Sequence, residues 1–356
     1  MYELTPLLQI RRNANRLHAD LLLEGLSLEV ETDAMLRMIE LIATNSPASL
    51  DAIKRLLVEQ NVYDHEQAEI EIQKFLEARV LVRSDQITSQ KHGVQFWADH
   101  GWIDALILHL NTRDIVYQDD PVDVGGRDDQ QTIFGLPDNL RESVSSELNR
   151  VSWKLPHPRR LGPDDVLRGM MTRRSFQPYR GRFSIEKLSS ILWHANSYAR
   201  QSRDAYERAD TREGAYDSAF SCLTTYMIVY QDIVDGENVY NAGIYQYDIS
   251  SHRLIGVKMG EFRDQIAEIA IGQKRASAGL FTFLIAGNWE KYRQRYPHGR
   301  SYRNLLVNVA EQAQYYLVLA TAYEYATFMT PAMQDERMQS LIESFDHLPL
   351  YFVTAG

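Results

Sequence analysis

Nearly uncharged strands and one long apolar helix alternate in the C-terminal half of the chain, and this pattern limits the folds open to it. The stretches "LFTFLIAG" (280–287) and "LPLYFVTAG" (348–356) are typical of buried strands, and "RNLLVNVAEQAQYYLVLATAYEYATF" (303–328) is typical of a core helix. "TTYMIVYQ" (224–231) and the stretch from 241 to 260 alternate as a β-ladder does, with a turn at 235–238 between them. The sequence therefore predicts an α+β fold in which helices flank a mixed or antiparallel sheet.

A second, smaller unit is indicated near the N-terminus. Residues 35–83 show helical apolar spacing in three segments, with Ser49 and Asp64 as N-cap candidates and Gln67 completing a capping-box signature after Asp64. The apolar run after the third helix, followed by "SDQITS", suggests a short β-hairpin. Three helices and a hairpin are typical of a winged helix, so we expect a winged-helix-like domain over residues 1–92.

Charge decides between the functions that such a domain can have. From Glu31 to Asp85 there are eleven acidic residues and six basic ones, and the whole chain has a formal net charge of -10. Binding to nucleic acid requires a basic face that neutralises phosphates. We therefore expect the N-terminal domain to dock a peptide or a protein, and we expect no nucleic-acid partner.

The middle of the chain connects the two units. "WADHGWIDALILHLNTRDIVY" (97–117) predicts one amphipathic helix whose Trp and Leu side chains pack between domains. From 118 to 165 the chain is polar and contains several prolines and glycines, which indicates a linker. The predicted boundaries are thus 1–92 for the first domain, 93–165 for a helix and linker, and 166–356 for the second domain.

Several classes of protein are disfavoured by composition. No apolar run reaches the roughly 18 residues that a membrane-spanning helix needs, and the N-terminus lacks the continuous apolar core of a signal peptide, so the expected location is the cytoplasm. The single cysteine, Cys222, excludes an internal disulfide. The ten histidines are scattered without ligand spacing, so we expect no metal site.

Two arginines and a serine follow one another in "MTRRSFQPYR" (171–180), at what the pattern indicates is the start of a helical region. Arg173 and Arg174 can hold a phosphate through paired guanidinium bonds, and the backbone N–H groups of a helix N-terminus favour the same ligand. The alternative is a solvated basic turn. From these residues alone both interpretations stay open.

Further segments follow this cluster in an order that resembles a known family. In chain order the segments are "MTRRSFQPYRGRFSIEKLSSILWHA", "GIYQYDISSHRLIGV", "RYPHGRSYR", "VAEQAQYYLVLATA" and "LPLYFVTAG". Together they resemble the SagB-type oxidoreductases of the flavin-dependent nitroreductase fold. Upstream, Trp97, His109 and Arg113 on one helix and the Leu155–Pro156 step look like features of the same family, so the resemblance covers most of the chain. It implies a nitroreductase-like FMN oxidoreductase domain over 166–356.

The resemblance also implies a chemistry and a set of partners. Known SagB-type members are FMN enzymes that oxidise thiazolines and oxazolines, made from Cys, Ser or Thr in ribosomal peptides, to thiazoles and oxazoles. They are usually homodimeric and act beside a cyclodehydratase. For this chain the implied cofactor is FMN, and the implied partners are a modified precursor peptide and a cyclodehydratase or a paralogous oxidoreductase subunit, in a homo- or heterodimer.

Site residues follow by position within the matching motifs. Arg173, Arg174 and Ser175 would hold the phosphate and ribityl chain of FMN, while Gln314 matches a glutamine that lies near the cofactor in the family. A phosphate dianion needs paired cations and a flavin ring needs amide donors and acceptors, so these residue types suit those positions.

A base for the oxidation is implied by the segment before "RSYR". The family places a Lys–Tyr pair there, and this chain has Arg295–Tyr296 one residue farther away and Lys291 upstream. Tyr296 is the best candidate for the base. Arg295 cannot deprotonate, but its charge can lower the pKa of the neighbouring tyrosine.

Some positions depart from the family pattern, and they define a second hypothesis. The segment from Arg212 to Tyr226 matches in spacing a loop that lies against the flavin in the family, but Tyr216 and Ser218 stand where the family has serine and glycine, which adds bulk. Arg212 and Ser218 are nevertheless the cofactor-binding candidates in that loop. The second hypothesis is a catalytically degenerate subunit that acts as the structural partner of an active oxidoreductase or cyclodehydratase.

Overall fold

A computed structural model describes residues 1–13, 15–113, 151–200, 222–235, 238–289, 292, 299–344 and 346–356. The chain divides into two compact units, Met1–Tyr117 and Gln118–Gly356. In the described part of the chain every helix is too short or too polar to cross a membrane.

The first unit combines short antiparallel strands with five helices among its described residues. In chain order its elements are β1 (Tyr2–Leu4), β2 (Leu8–Asn13), β3 (Arg16–Leu21), β4 (Leu26–Val30), α1 (Asp33–Asn45), α2 (Leu50–Glu59), α3 (His65–Glu77), β5 (Leu81–Arg83), α4 (Thr88–Asp99) and α5 (Ile103–Arg113).

Two N-caps predicted in this unit are confirmed. Ser49 accepts a hydrogen bond from the backbone N–H of Ala52 at 3.2 Å, and Asp64 accepts one from Gln67 at 2.8 Å. A polar side chain at these positions pairs a donor that the first helical turn leaves without an intrahelical partner.

A winged helix is not confirmed. The strand β5 pairs in antiparallel fashion with β1, from the start of the chain, and the residues after it turn directly into α4. The predicted hairpin is therefore wrong, because the hydrogen-bonding partner of β5 is distant in sequence. A three-stranded antiparallel sheet, β2–β3–β4, precedes the helices and was not predicted.

The segment 97–117 does not form the single helix predicted for it. The helix α4 ends at Asp99 and α5 begins at Ile103, and between them Gly101 has a φ of 70°, a left-handed conformation that glycine adopts without strain. Leu106 and Leu110 pack around Leu22, inside the first unit. The prediction that this segment packs between domains is therefore wrong for Leu106 and Leu110, which pack within the first unit.

The second unit is built on a large sheet. In chain order its elements are β6 (Ser152–Lys154), α6 (Pro163–Thr172), α7 (Ile185–Ala195), β7 (Leu223–Val229), β8 (Ile233–Asp235), β9 (Asn238–Tyr240), β10 (Gly243–Asp248), β11 (Arg253–Met259), α8 (Arg263–Ile269), a 3₁₀ helix (Lys274–Ala276), β12 (Phe281–Asn288), α9 (Ser301–Ala322), β13 (Thr327–Thr330), α10 (Asp335–Leu341) and β14 (His347–Ala355).

Helices cover both faces of this sheet, as the α+β prediction expects. Seven antiparallel strands run in the order β13-β14-β12-β7-β10-β11-β6. The interior strand β12 sends Phe283 and Ile285 to the face covered by α7 and α9, and Leu284 and Ala286 to the face covered by α8 and α10. Successive strand residues point to opposite faces, so a strand with helices on both sides is apolar throughout.

Two boundaries differ from the prediction. The segment 93–165 is shared between the units, because α4 and α5 belong to the first while β6 is an edge strand of the large sheet in the second.

The long helix α9 ends at Ala322 rather than Phe328. Its end is a Schellman arrangement, in which Tyr325 N–H donates to Ala320 O and Glu324 has a φ of 71°.

Candidate functional site

The arginine cluster lies at the end of a helix, not at the start of one. Gly162 and Pro163 begin α6, and Arg173 is the residue that caps its C-terminus. The next helix, α7, begins only after Ser184. The predicted helix N-terminus is therefore wrong: carbonyl groups, not N–H groups, are exposed beside the arginines, and a phosphate there depends on side chains.

Hydrogen bonds arrange the three side chains of this cluster. Arg173 donates from Nη1 to Ser175 Oγ at 3.0 Å. Arg174 donates from Nη1 to the backbone oxygens of Arg173 and Met171, at 2.7 and 3.2 Å. The exposed carbonyls of the helix end thus hold one guanidinium, and the serine hydroxyl holds the other.

Both guanidinium groups keep donors for a further ligand. In the described part of the chain, neither Arg173 nor Arg174 forms an ion pair with a carboxylate, whereas Arg168, on the same helix, pairs with Asp165 at 2.8 Å. Arg173 is half-buried and lies near β14. Burial raises the pKa of Tyr351 on that strand, and the positive charge of Arg173 opposes this rise. Two cations on consecutive residues, without acidic partners among the described residues, favour the binding of an anion.

The segment after the arginines is fixed to the second unit by Arg275. This side chain donates to the backbone oxygen of Gln177 at 2.6 Å and lies over the rings of Tyr179 and Phe176, 5.0 and 5.6 Å from their centroids. Tyr179 donates in return to the backbone oxygen of Arg275 at 3.0 Å. Burial raises the pKa of Tyr179 to about 12. The segment that carries the arginine cluster is therefore anchored on both sides, by α6 before the cluster and by Arg275 after it.

The helix α6, which precedes the arginine cluster, is itself held by close packing on α9. A β-carbon on Gly169 would lie 2.7 Å from the backbone oxygen of Val318, which is shorter than any ordinary contact. Gln314 precedes Val318 by one helical turn, so both residues lie on the same side of α9. The arginine cluster and Gln314 thus belong to the two helices that meet at Gly169.

A buried amide that the sequence did not single out lies two residues from Gln314. Gln314 is exposed, whereas Gln312 is buried and donates to the backbone oxygen of Ala195 at 2.8 Å and to Asn196 Oδ1 at 3.2 Å. Asn196 Nδ2 donates to Tyr316 Oη at 2.6 Å. The apolar neighbours of Gln312 on the helix were the signal that could have marked it as buried.

Thr225 completes this network on β7. Tyr316 Oη donates to Thr225 Oγ1 at 3.0 Å, and both residues are buried. Burial raises the pKa of Tyr316, so its phenol is protonated at any physiological pH. The network joins α7 and β7 to α9, the helix that carries Gln314.

Several predicted site residues lie outside the described residues. They are Arg212 and Ser218 of the cofactor loop and the candidate catalytic residues Lys291, Arg295 and Tyr296. Their described neighbours lie at one end of the sheet, because Leu223, which starts β7, pairs with Gly287 near the end of β12. Tyr226, at the end of the predicted cofactor loop, is buried on the α8 and α10 face, and its hydroxyl contacts the imidazole of His347.

A full-length relative gives the family. The chain is 41% identical over 360 residues to the trifolitoxin operon protein TfxC of Rhizobium leguminosarum bv. trifolii, and the match covers 100% of both chains. The chain belongs to the TfxC family. No family model matches it.

Solved structures similar to this TfxC-family chain are more distant. A putative nitroreductase from Anabaena variabilis is 17% identical with a TM-score of 0.47, over 59% of this chain and 42% of its own. One from Ralstonia eutropha is 15% identical with a TM-score of 0.45, over 58% and 88%. The E. coli microcin synthetase McbBCD complex with truncated pro-MccB17 bound is 14% identical with a TM-score of 0.38, over 68% and 84%. All three TM-scores are below 0.5.

The arginine cluster of this TfxC-family chain fits the phosphate end of a flavin mononucleotide. A phosphate monoester carries about two negative charges near neutral pH, and it accepts hydrogen bonds on three oxygens. Arg173, Arg174 and Ser175 offer two guanidinium groups and a hydroxyl within three consecutive residues, with the cations unneutralised by carboxylates among the described residues. The fit concerns the phosphate, since the candidates for the ring end, apart from Gln314, lie outside the described residues.

Proposed function

We propose that this chain is an FMN-dependent dehydrogenase that oxidises azoline rings, thiazoline or oxazoline, or a related residue, in a ribosomally made precursor peptide. The observation that carries the proposal is the arginine pair at the end of α6, which has no acidic partner in the described part of the chain. The order of the sequence motifs supports the same function, as does the full-length relationship to a protein of the trifolitoxin operon.

Each side chain has a role in this proposal. Arg173 and Arg174 bind the phosphate, Ser175 orients Arg173, and Gln314 contacts the flavin. A bound flavin would supply the hydride acceptor for the oxidation of the ring. A base must take a proton from a neighbouring ring atom, and Tyr296 beside Arg295 is the candidate that the sequence offers, with Lys291 upstream.

The partners follow from the same chemistry. A peptide substrate whose rings are made by a cyclodehydratase requires the two enzymes to act in sequence on one chain. We propose that the acidic N-terminal unit docks the precursor peptide or a synthetase subunit, and that the second unit pairs with a second copy or with a paralogous subunit. The exposed side chains Leu167, Met170 and Met171 form an apolar face on α6 that suits such pairing.

The test is peptide-dependent reduction of the flavin. Protein reconstituted with FMN is mixed without oxygen with a precursor peptide carrying azoline rings, and the loss of visible flavin absorbance is followed together with the mass of the peptide. The proposal predicts flavin reduction and a loss of two hydrogens per oxidised ring. A precursor peptide without the heterocycles is the control and is expected to leave the flavin oxidised.

The degenerate subunit remains as the second candidate, because Tyr216 and Ser218 add bulk in the loop that the resemblance places against the flavin. This candidate predicts that the isolated chain binds no FMN and reduces none. It also predicts that adding the chain to an active paralogous oxidoreductase or a cyclodehydratase raises the activity of that enzyme. Full activity of the isolated chain contradicts it.

A further inference from the structure

A group of aromatic rings is exposed at the turn between α4 and α5, in the first unit. The imidazole of His100 lies between the rings of Phe96 and Trp102, with centroid distances of 4.5 and 5.8 Å. The half-buried Trp97 adjoins Trp102, at 6.2 Å between centroids. Phe96 and Trp102 are 57% and 56% exposed. Large apolar side chains that are exposed together and rimmed by polar residues mark an interaction surface.

The backbone of this turn is fixed by hydrogen bonds. Trp102 N–H donates to Trp97 O at 2.9 Å, and Leu106 N–H donates to Trp102 O at 3.1 Å. The ring of His100 is held as well, because its Nδ1 lies 2.6 Å from Phe96 O. The exposed indole of Trp102 is therefore presented from a backbone that is already ordered, which lowers the entropy cost of binding a ligand.

The charges beside these rings are negative. The range 92–112 contains no lysine or arginine, and its two acidic residues are Asp99 and Asp104. Asp99 accepts a hydrogen bond from Gln95 Nε2 at 2.6 Å, and both carboxylates are exposed. Neither forms an ion pair in the described part of the chain. Two carboxylates thus flank the exposed indole in sequence without a cation to neutralise them.

The end of α4 adds to this negative charge. The last turn of an α-helix leaves carbonyl groups without intrahelical partners, which is equivalent to a partial negative charge, and a basic side chain there compensates for it. The last turn of α4 has no basic residue, and Asp99 lies in it. Lys91, in the first turn, is paired with Glu3 at 2.7 Å. The carbonyl end, the carboxylates and the faces of the rings therefore favour the same ligand, a cation.

We propose that the α4–α5 surface, formed by Phe96, Asp99, His100, Trp102 and Asp104, binds a lysine or arginine side chain of the precursor peptide. A cation over an indole face is attracted by the ring quadrupole, and a carboxylate nearby pairs with the same charge. The identity of the peptide rests on the proposed function, in which the first unit docks it. The cationic chemistry of the ligand rests on the rings and charges of the surface itself.

A short cationic peptide tests the surface without turnover. Acetyl-Gly-Arg-Gly amide is titrated into the full-length protein, and the NMR signals of the five indole N–H groups are followed, with Trp102→Phe and Trp153→Phe to assign two of them. We expect the signal of Trp102 to shift to saturation, and that of the buried Trp153 to stay in place. The same peptide with citrulline, which has the shape of arginine without its charge, is expected to shift neither.

Binding of the precursor peptide tests the proposed ligand. Fluorescence anisotropy of a labelled azoline peptide that contains lysine or arginine is measured at equilibrium. We expect Trp102→Ala to weaken binding by about tenfold or more, as an aromatic anchor does. The double variant Asp99→Asn/Asp104→Asn should weaken it by about fivefold at low salt and by less at high salt.

Two variants of the first unit are matched controls for these changes. Leu26→Ala truncates an exposed apolar side chain on β4, and Glu59→Gln neutralises an exposed carboxylate on α2. Both are expected to bind the precursor peptide as wild type does. A loss of binding in these controls equal to that in the test variants would contradict a role specific to the α4–α5 surface.

Failure of this inference is distinguishable from failure of the proposed function. If the arginine and citrulline peptides shift Trp102 alike, or if Trp102→Ala binds the precursor peptide as wild type does, the inference is wrong whether or not flavin is reduced. If Trp102 responds to arginine alone but FMN-loaded wild type is never reduced by azoline peptide, the proposed function fails and the cation site stands. If Trp102→Ala alters sedimentation but not peptide binding, the surface pairs with a second copy and the inference is overturned.

Discussion

Gly169 of α6 lies against the backbone oxygen of Val318 in α9, with no room for a β-carbon between them. The ideal β-carbon position is 2.7 Å from that oxygen and 3.1 Å from the backbone nitrogen of Ala322. Since both neighbours are backbone atoms, neither can move without displacing a helix. This contact sets the position of α6 and therefore of the arginines at its end.

We predict that Gly169→Ala destabilises the protein by about 1–3 kcal/mol, as overpacking in a close contact does. It should also weaken FMN retention, because α6 must shift away from α9. Chemical denaturation measures the first effect and equilibrium dialysis the second. Gly93→Ala is the control: no atom lies within 4 Å of its β-carbon position inside the helix α4, so this variant is expected to stabilise the protein by about 0.5–1 kcal/mol, as alanine does in place of glycine within a helix. Equal effects of the two variants would contradict the role of the contact.

Tyr316→Phe tests the buried network between α7, α9 and β7. The variant leaves Thr225 Oγ1 and Asn196 Nδ2 without the hydroxyl that each contacts, and a buried polar group that loses its partner costs about 1–3 kcal/mol. Denaturant unfolding should show this loss. Tyr315→Phe is the matched control, since its hydroxyl donates to an exposed carboxylate, Glu311, and a change within about 0.5 kcal/mol is expected.

Glu324→Gly is predicted to stabilise the protein by about 1 kcal/mol. Glu324 has a φ of 71° in the Schellman end of α9, and a residue other than glycine is strained there. The variant loses an exposed ion pair with Lys187, at 3.4 Å, which contributes little. Thermal unfolding should show a higher Tm. Glu336→Gly, in the first turn of α10, is expected to lower the Tm, because glycine weakens a helix.

His252 makes stability depend on pH. Burial lowers the pKa of His252 to about 4, and its ring contacts Tyr247 Oη at 2.7 Å and Ser189 Oγ at 2.8 Å. The imidazole is thus neutral in the folded protein where the unfolded chain, with an ordinary pKa of about 6.5, binds a proton. Stability is complete above that value and falls as pH drops from about 6.5 to about 4.

Unfolding by denaturant at a series of pH values checks this effect. The slope of the unfolding free energy against pH between about 4 and 6.5 should be smaller in His252→Gln than in wild type. Equal slopes in His252→Gln and wild type would show that His252 titrates alike in both states.

Local sequence patterns predicted the helices and strands of this fold better than they predicted which strands pair with each other. Ser49 and Asp64 were recognised as caps because the capping bond spans three residues. The strand β5 was placed correctly, but its pairing with β1 joins residues nearly eighty positions apart, which no local pattern records. Tertiary contacts also decide where helices end.

The candidate site was predicted in part, for related physical reasons. The stretch 171–180 and the family resemblance both single out Arg173 and Arg174, but they place these residues at a helix start, whereas the Gly162–Pro163 step that begins α6 puts them at a helix end. The sequence motifs single out Gln314 and not Gln312; residues two apart along a helix differ by about 200° around its axis, so only Gln312 faces the core. The contact of His347 with Tyr226 has no sequence motif either, because the register of three strands brings the two side chains together.

Binding of FMN by the arginine pair is the central claim, and equilibrium dialysis of FMN against wild type, the double variant Arg173→Ala/Arg174→Ala and Arg168→Ala tests it most directly. Charge-assisted hydrogen bonds of about 1.5–3 kcal/mol each predict at least a hundredfold weaker binding in the double variant. Arg168→Ala, which removes a cation already paired with Asp165, should bind as wild type does. Wild-type affinity in the double variant, or no binding by wild type, would contradict the account.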